Sequence, residues 1–214
     1  MPTRESVYHY TLCKALFHMR LPDDNKRRQI IATAADMFAS SPYHKVRLDD
    51  VASAAGVGKG TLYVYFQSKE DLYFTIIYEG LGILLGGLKK QLAQDHSGAV
   101  DRLRTIVDEL VDFAFNHPQF FELLKTVGIP LGKPEWDQAR NEMFDMIEQI
   151  IRDGVAGGDF KDPNPHLTAR FVPGLVRSAM IFGPKDLERA TLKQQIHLLL
   201  EQGLGCGVRA GAAV

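Results

Sequence analysis

The chain has 214 residues, 45% of them hydrophobic, and carries 25 Lys and Arg against 26 Asp and Glu, a net charge of −1. That is enough chain for one large domain or two small ones around a sizeable core, and the overall charge does not by itself suggest a nucleic-acid binder. Cys13 and Cys206 lie near opposite ends, too few for a disulfide framework or a cysteine zinc site, so the expected setting is a reducing cytoplasm.

Residues 1–22 show no clear period and read as an amino-terminal extension, with Met19 an alternative start. Lys14 interrupts the only early apolar run, so no secretory signal is expected. A first helix is predicted from about Asp24 to Ala39, with Ile30, Ala34, Met37 and Phe38 on its inner face. Lys26, Arg27 and Arg28 sit in its first turn, where the helix dipole disfavours cations. They suit either a solvated face or a phosphate contact. Ser41-Pro42-Tyr43-His44 is a turn.

Leu48, Val51, Ala52 and Ala55 fall on one face of a second, short helix. Gly56 ends it, because glycine accepts the left-handed conformation of a sharp turn. A third short helix follows, with Val57, Leu62 and Phe66 turned to a small core. Lys59, Gly60, Thr61, Tyr63, Val64 and Tyr65 are left facing outward. One cation, a hydroxyl, two phenols and no carboxylate suit a phosphate backbone and base edges. The pair reads as a helix-turn-helix, with the second helix as the DNA reader. Charge distribution agrees. Residues 25–70 hold seven Lys and Arg against four acids (+3), and residues 71–214 hold fifteen against nineteen (−4). A basic head on an acidic body favours electrostatic steering to DNA.

Ala55-Gly56-Val57, Gly60-Thr61-Leu62-Tyr63, Tyr65-Phe66 and Ser68-Lys69-Glu70-Asp71-Leu72 resemble the amino-terminal domain of the tetracycline-repressor (TetR) family of bacterial regulators. The resemblance covers about residues 25–72. It implies phosphate contacts from Tyr65 and Lys69, a homodimer through the last two helices, and a small effector bound in the body that releases DNA. Two positions depart from the family pattern. Arg47 stands where Ser or Thr is frequent; it lacks a capping oxygen but can reach a phosphate. Gly58 stands where Ser is common, which keeps the turn and loses one hydroxyl.

Ser68 is the expected N-cap of a fourth helix running to about Ala93, with Asp71 three residues on. Leu72, Ile76, Leu84, Leu88 and Leu92 hold one face, and Gly80, Gly82, Gly86 and Gly87 permit close packing or a bend. The apolar run Leu72–Leu88 contains Glu79 and falls short of the ~20 residues of a membrane span, so it reads as a buried helix and no membrane partner is expected. Further helices are predicted over about Ala99–Asn116, Pro118–Val127, Glu135–Val155, His166–Phe182 (interrupted at Pro173-Gly174) and Leu187–Leu204, with a breaker-rich link at Gly128–Pro134. Leu167, Phe171, Leu175, Ala179 and Phe182, with Leu192, Ile196, Leu199 and Leu200, form stripes suited to a four-helix bundle between two subunits.

No catalytic or metal motif is found. Gly56–Thr61 fails the phosphate-loop pattern, no H-E-x-x-H or G-x-S-x-G occurs, and no cofactor is expected. Phe113, His117, Phe121, Trp136, Phe144, Phe171 and Arg177 suit either plain core or an apolar effector pocket with His117 or Arg177 as polar anchor. The expected architecture is all-α, about nine helices: extension 1–22, helix-turn-helix domain 23–70, helical effector-binding and dimerisation domain 71–205, tail 206–214. The expected function is a cytoplasmic, non-enzymatic DNA-binding regulator, a repressor released from a palindromic double-stranded operator by a small apolar effector. Arg47, Lys59, Gly60, Thr61, Tyr63, Tyr65 and Lys69 are the expected DNA contacts. The alternatives are a constitutive DNA-binding protein without effector, and a small-molecule-binding protein with a vestigial helix-turn-helix.

Overall fold

A computed structural model describes residues 24–126 and 132–205. The extension, Cys13, Cys206, the tail and most of the 128–134 link lie outside those residues. Among the described residues the chain forms nine α-helices and no strand: α1 Asp24–Ser40, α2 Leu48–Ala54, α3 Lys59–Tyr65, α4 Lys69–Gln94, α5 Ala99–Asn116, α6 Pro118–Thr126, α7 Pro134–Gly157, α8 Pro165–Phe182 and α9 Arg189–Gly203. A 3-10 turn at Tyr43–Lys45 joins α1 to α2.

The first three helices are anchored by few residues. Ile30, Ala34 and Phe38 from α1, Val51 and Ala52 from α2, and Leu62 from α3, with Phe66 just beyond it, are almost wholly buried. Burying Leu62 contributes about 1.5–3 kcal/mol, and Leu62→Ala is the single change most damaging to α3. Gly56 has φ +63, which a residue with a Cβ adopts only at a cost, so the turn between α2 and α3 depends on it.

The long helix α4 starts as its sequence suggests. Ser68 Oγ accepts the Asp71 N–H at 3.0 Å. The Asp71 carboxylate accepts from the Gln67 amide at 2.9 Å, one residue before the reciprocal bond of a capping box. At 26 residues α4 exceeds the predicted apolar run and is long and apolar enough to cross a membrane by composition. Its apolar side, Leu72 to Leu88, is nonetheless buried in the protein's own core. Its glycines divide in role. A Cβ on Gly80 would stand 2.6 Å from Phe120 Cδ2, so α4 and α6 touch there, whereas Gly82 and Gly86 face open space. The helix runs unbroken through all four.

In the body α5 is central, packing against α4, α7, α8 and α9. Leu103, Ile106, Val107, Leu110, Val111 and Ala114 form its buried side. The predicted interruption of α8 is absent: the helix continues through Pro173-Gly174. Proline there forfeits one backbone hydrogen bond, but Ala169, Val172 and Val176 are buried at or below 1% exposure on both sides, and this packing holds the helix together. The stripe on α9 is also corrected. Leu192, Ile196 and Leu200 are buried within the chain itself, so they are not free for a partner; Leu198 and Leu199 are the exposed leucines of α9, and Leu167, Phe171 and Phe182 of α8 are exposed too.

Candidate nucleic-acid interface and effector cavity

α3 presents Lys59, Gly60, Tyr63 and Val64 to solvent, with Thr61 and Tyr65 half-buried. Neither short helix has a side-chain cap, since Arg47 and Gly58 occupy the N-cap positions. A Cβ on Gly58 would meet nothing nearer than Thr61 Oγ1 at 3.8 Å, so serine would fit there. A carboxylate from the preceding helix adjoins this surface: Asp49 of α2 sits 2.9 Å from Lys59 Nζ. That hydrogen bond raises the Lys59 pKa. Arg47 Nη2 approaches the same carboxylate at 4.0 Å and is otherwise open to solvent.

Lys69 is placed differently from a free surface cation. Its ammonium donates to the Tyr43 carbonyl at 2.9 Å and the Val46 carbonyl at 3.2 Å, and lies 4.2 Å from the Tyr43 ring centre. It ties α4 to the turn before α2 and keeps one N–H for another acceptor. Of the three cations opening α1, Arg27 pairs with Glu79 of α4 and lies over the Phe66 ring. Arg28 bonds Asn25 and the Asp24 carbonyl. Arg27 is thereby tied to α4, whereas Arg28 bonds within its own helix and stays exposed.

The body holds a half-open cavity of about 410 Å³ between α4, α5, α6, α7 and α8. Phe113, Phe121, Trp136, Phe144 and Arg177 line it, together with Leu81, Leu84, Leu110, Phe120, Leu124 and Met143. His117 and Phe171 do not. His117 stacks on the outer side of the aromatic cluster, 4.6 Å from the Phe113 ring, and Phe171 projects to solvent at 55% exposure. Sequence reasoning missed Arg140, Asn141 and Arg170, which also line the cavity. Arg170 lies 5.0 Å and Arg140 6.0 Å from the Phe144 ring centre. An aromatic on the same α7 face one turn beyond Arg140 is the signal that could have found that arginine. A shallower groove between α8 and α9, lined by Phe171, Leu175, Leu199 and Leu204, shares Arg170, Gly174 and Arg177 with the cavity.

The cavity connects to the DNA-facing helices through α6. Phe120, Phe121 and Leu124 line the cavity, while the neighbouring Leu123 carbonyl accepts the Tyr73 hydroxyl at 3.1 Å. The Tyr73 ring packs edge-on against Phe38 of α1 and Tyr43 of the turn, and burial pushes its hydroxyl pKa well up. α6 itself packs along α1.

A three-helix DNA-reading head carried by a helical body with an internal cavity defines a helix-turn-helix transcriptional regulator. Residues 30–76 match the family of bacterial regulatory proteins of the tetR type, and residues 96–180 match the tetracyclin repressor-like C-terminal domain. The transcriptional regulator RutR of Escherichia coli is 41% identical over 176 residues, 80% of this chain and 82% of that protein. The chain therefore belongs to the TetR family of DNA-binding transcriptional regulators. The transcriptional activator FasR of Mycolicibacterium smegmatis is 32% identical over 105 residues, 49% of this chain; the match spans only about half of FasR, 48%. FadR of Bacillus subtilis, solved with stearoyl-CoA, shares the fold with a TM-score of 0.70 at 20% identity, over 83% of this chain and 98% of that one.

Proposed function

We propose that this regulator is a cytoplasmic, non-enzymatic repressor that leaves its operator when an acyl-CoA thioester enters the cavity of the body. In this reading residues 23–70 form the DNA-binding domain and 71–205 the effector-binding and dimerisation domain. The observation that carries it is the cavity itself: a largely apolar chamber with Arg140, Arg170 and Arg177 in its lining. An apolar chamber alone fits the apolar effector expected from sequence. Three guanidiniums in the lining favour an amphiphile with an anionic head, because arginine matches phosphate and carboxylate geometry. The FadR complex with stearoyl-CoA supports that ligand class.

Arg47, Lys59, Gly60, Thr61, Tyr63, Tyr65 and Lys69 are the proposed DNA contacts, Lys59 to Thr61 at base edges and the rest at or near phosphates. Phe113, Phe121, Trp136, Phe144 and Arg177 are the proposed effector contacts, with Arg140 and Arg170. Two copies pair through α8 and the exposed leucines of α9. A ligand shifts the DNA-binding equilibrium only by its differential affinity for two arrangements. The support for such coupling is that α6 borders the cavity on one side and α1 on the other. The test is operator affinity with and without a long-chain acyl-CoA, at fixed salt. Weakening of about 5–150-fold corresponds to a coupling of roughly 1–3 kcal/mol. An affinity unchanged at saturating acyl-CoA overturns this reading and favours a constitutive DNA binder.

A further inference from the structure

α3 turns Leu62 wholly into the core of the head. Successive residues of an α-helix are rotated by about 100°, so Gly60 and Val64, two positions to either side of Leu62, both lie within about 20° of the direction opposite to it. They form the crest of the helix, with Lys59 and Tyr63 on one flank and Thr61 and Tyr65 on the other. Val64 is 69% exposed. A Cβ on Gly60 would meet nothing within 4 Å, and Gly60 is not among the glycines with positive φ. Neither packing nor backbone conformation therefore calls for glycine at this place, although it weakens a helix relative to alanine.

The crest carries no hydrogen-bonding side chain. It is a bare stretch of backbone followed, one turn on, by an isopropyl group. A single exposed aliphatic side chain is ordinary on a protein surface, but this one stands on the part of the reading helix that points furthest from the core. In the major groove, adenine, guanine and cytosine present donors and acceptors, which an aliphatic group can only desolvate. Thymine adds a C5 methyl group. We propose that Val64 is a specificity-determining residue that reads a thymine C5 methyl in each half-site, with Gly60 letting the backbone approach closely enough for the isopropyl group to reach it. The inference rests on α3 as the base-reading helix, and it adds to Lys59 and Thr61 a contact that discriminates without a hydrogen bond.

Selection from a randomised duplex library with the full-length protein supplies the site. Each thymine of that site is then replaced in turn by deoxyuridine, which removes only the methyl group, and affinities are measured at one salt concentration for wild type and Val64→Ala. Wild type is expected to lose about fourfold at one thymine in each half-site, the scale of burying one methyl group. Val64→Ala should bind the thymine and uracil duplexes alike at that position and keep the wild-type penalties at every other. Alanine is the best helix former and the position is exposed, so the variant should melt with wild type. The same uracil profile in both proteins, or a selected site without thymine opposite α3, overturns the role of Val64 and leaves base reading by α3 standing. Selection that returns no preferred sequence removes both.

Discussion

Lys59 Nζ lies 2.9 Å from each carboxylate oxygen of Asp49, so the only cation of the recognition helix is already paired before DNA arrives. The pair is exposed and contributes little to stability, yet it sets what Lys59 is free to touch. Asp49→Asn is expected to strengthen binding to all sequences and steepen its salt dependence, because a phosphate no longer competes with a fixed anion. Lys59→Ala is expected to relax preference at one base pair per half-site by roughly 1–3 kcal/mol. Binding-site selection with both variants separates the effects; an identical logo for Lys59→Ala and wild type removes Lys59 from base reading.

Lys69 makes two charged hydrogen bonds to carbonyls and rests against the Tyr43 ring. Lys69→Ala is therefore expected to cost roughly 1–3 kcal/mol of stability, seen as a lower Tm, in addition to reducing the salt slope of DNA binding by about one unit. A lowered Tm with an unchanged slope would make Lys69 a tie within the fold and not a phosphate contact.

Gly80→Ala places a methyl group 2.6 Å from Phe120 Cδ2. Overpacking of this kind costs typically 1–3 kcal/mol. Because Phe120 also lines the cavity, effector affinity should fall with stability. Gly82→Ala, into open space, is the control and should stabilise the helix by up to about 1 kcal/mol. Equal melting temperatures for the two variants would refute the close approach of α4 and α6.

Phe144→Trp fills the cavity wall facing Arg140 and Arg170, and Phe113→Trp crowds the ring cluster with Phe120 and Phe121. Both are expected to blunt the effector response and leave operator affinity nearly intact. A full response in Phe144→Trp would place the effector elsewhere.

The loop between α4 and α5 carries the acid dependence that is easiest to read. Asp95 accepts from the Ser97 hydroxyl and amide and from the Thr105 hydroxyl, and these bonds, the Ser97 hydroxyl first, hold its carboxyl below the usual range. A depressed folded-state pKa stabilises the protein above the ordinary aspartate value near 3.8, and that stabilisation is lost as pH falls through the lower folded value. Asp95→Asn should therefore melt below wild type at neutral pH, and the gap should close below about pH 4. Parallel melting curves at both pH values would contradict this.

How much of this is legible in the sequence depends on how far apart the interacting residues lie. The spans of α5 and α6 follow from an unbroken apolar period bounded by His96-Ser97-Gly98 and Pro118, and Ser68 announces the start of α4. The Asp49–Lys59 pair crosses a turn whose geometry periodicity does not encode. Lys69 reads as a surface cation because its partners are backbone carbonyls 23 and 26 positions away, which composition cannot reveal. Arg140 and Arg170 draw no notice in the sequence because hydropathy assigns charge to the outside, although a guanidinium can lie on an aromatic face. Leu192, Ile196 and Leu200 show the converse error: an apolar stripe says that a face is covered, and only the fold says by which neighbour.

Arg170, Gly174 and Arg177 border both the body cavity and the groove between α8 and α9, so along those two turns α8 itself divides one space from the other. If two copies meet across that groove, self-association and ligand uptake share the same guanidiniums and must answer to each other in equal measure, since coupling between two binding equilibria is reciprocal. The apparent affinity for effector then varies with protein concentration itself: dilution changes the reading without any change in the ligand. A titration repeated across a wide span of protein concentration would expose this dependence. The cellular abundance of the regulator would then help to set the ligand level at which it responds.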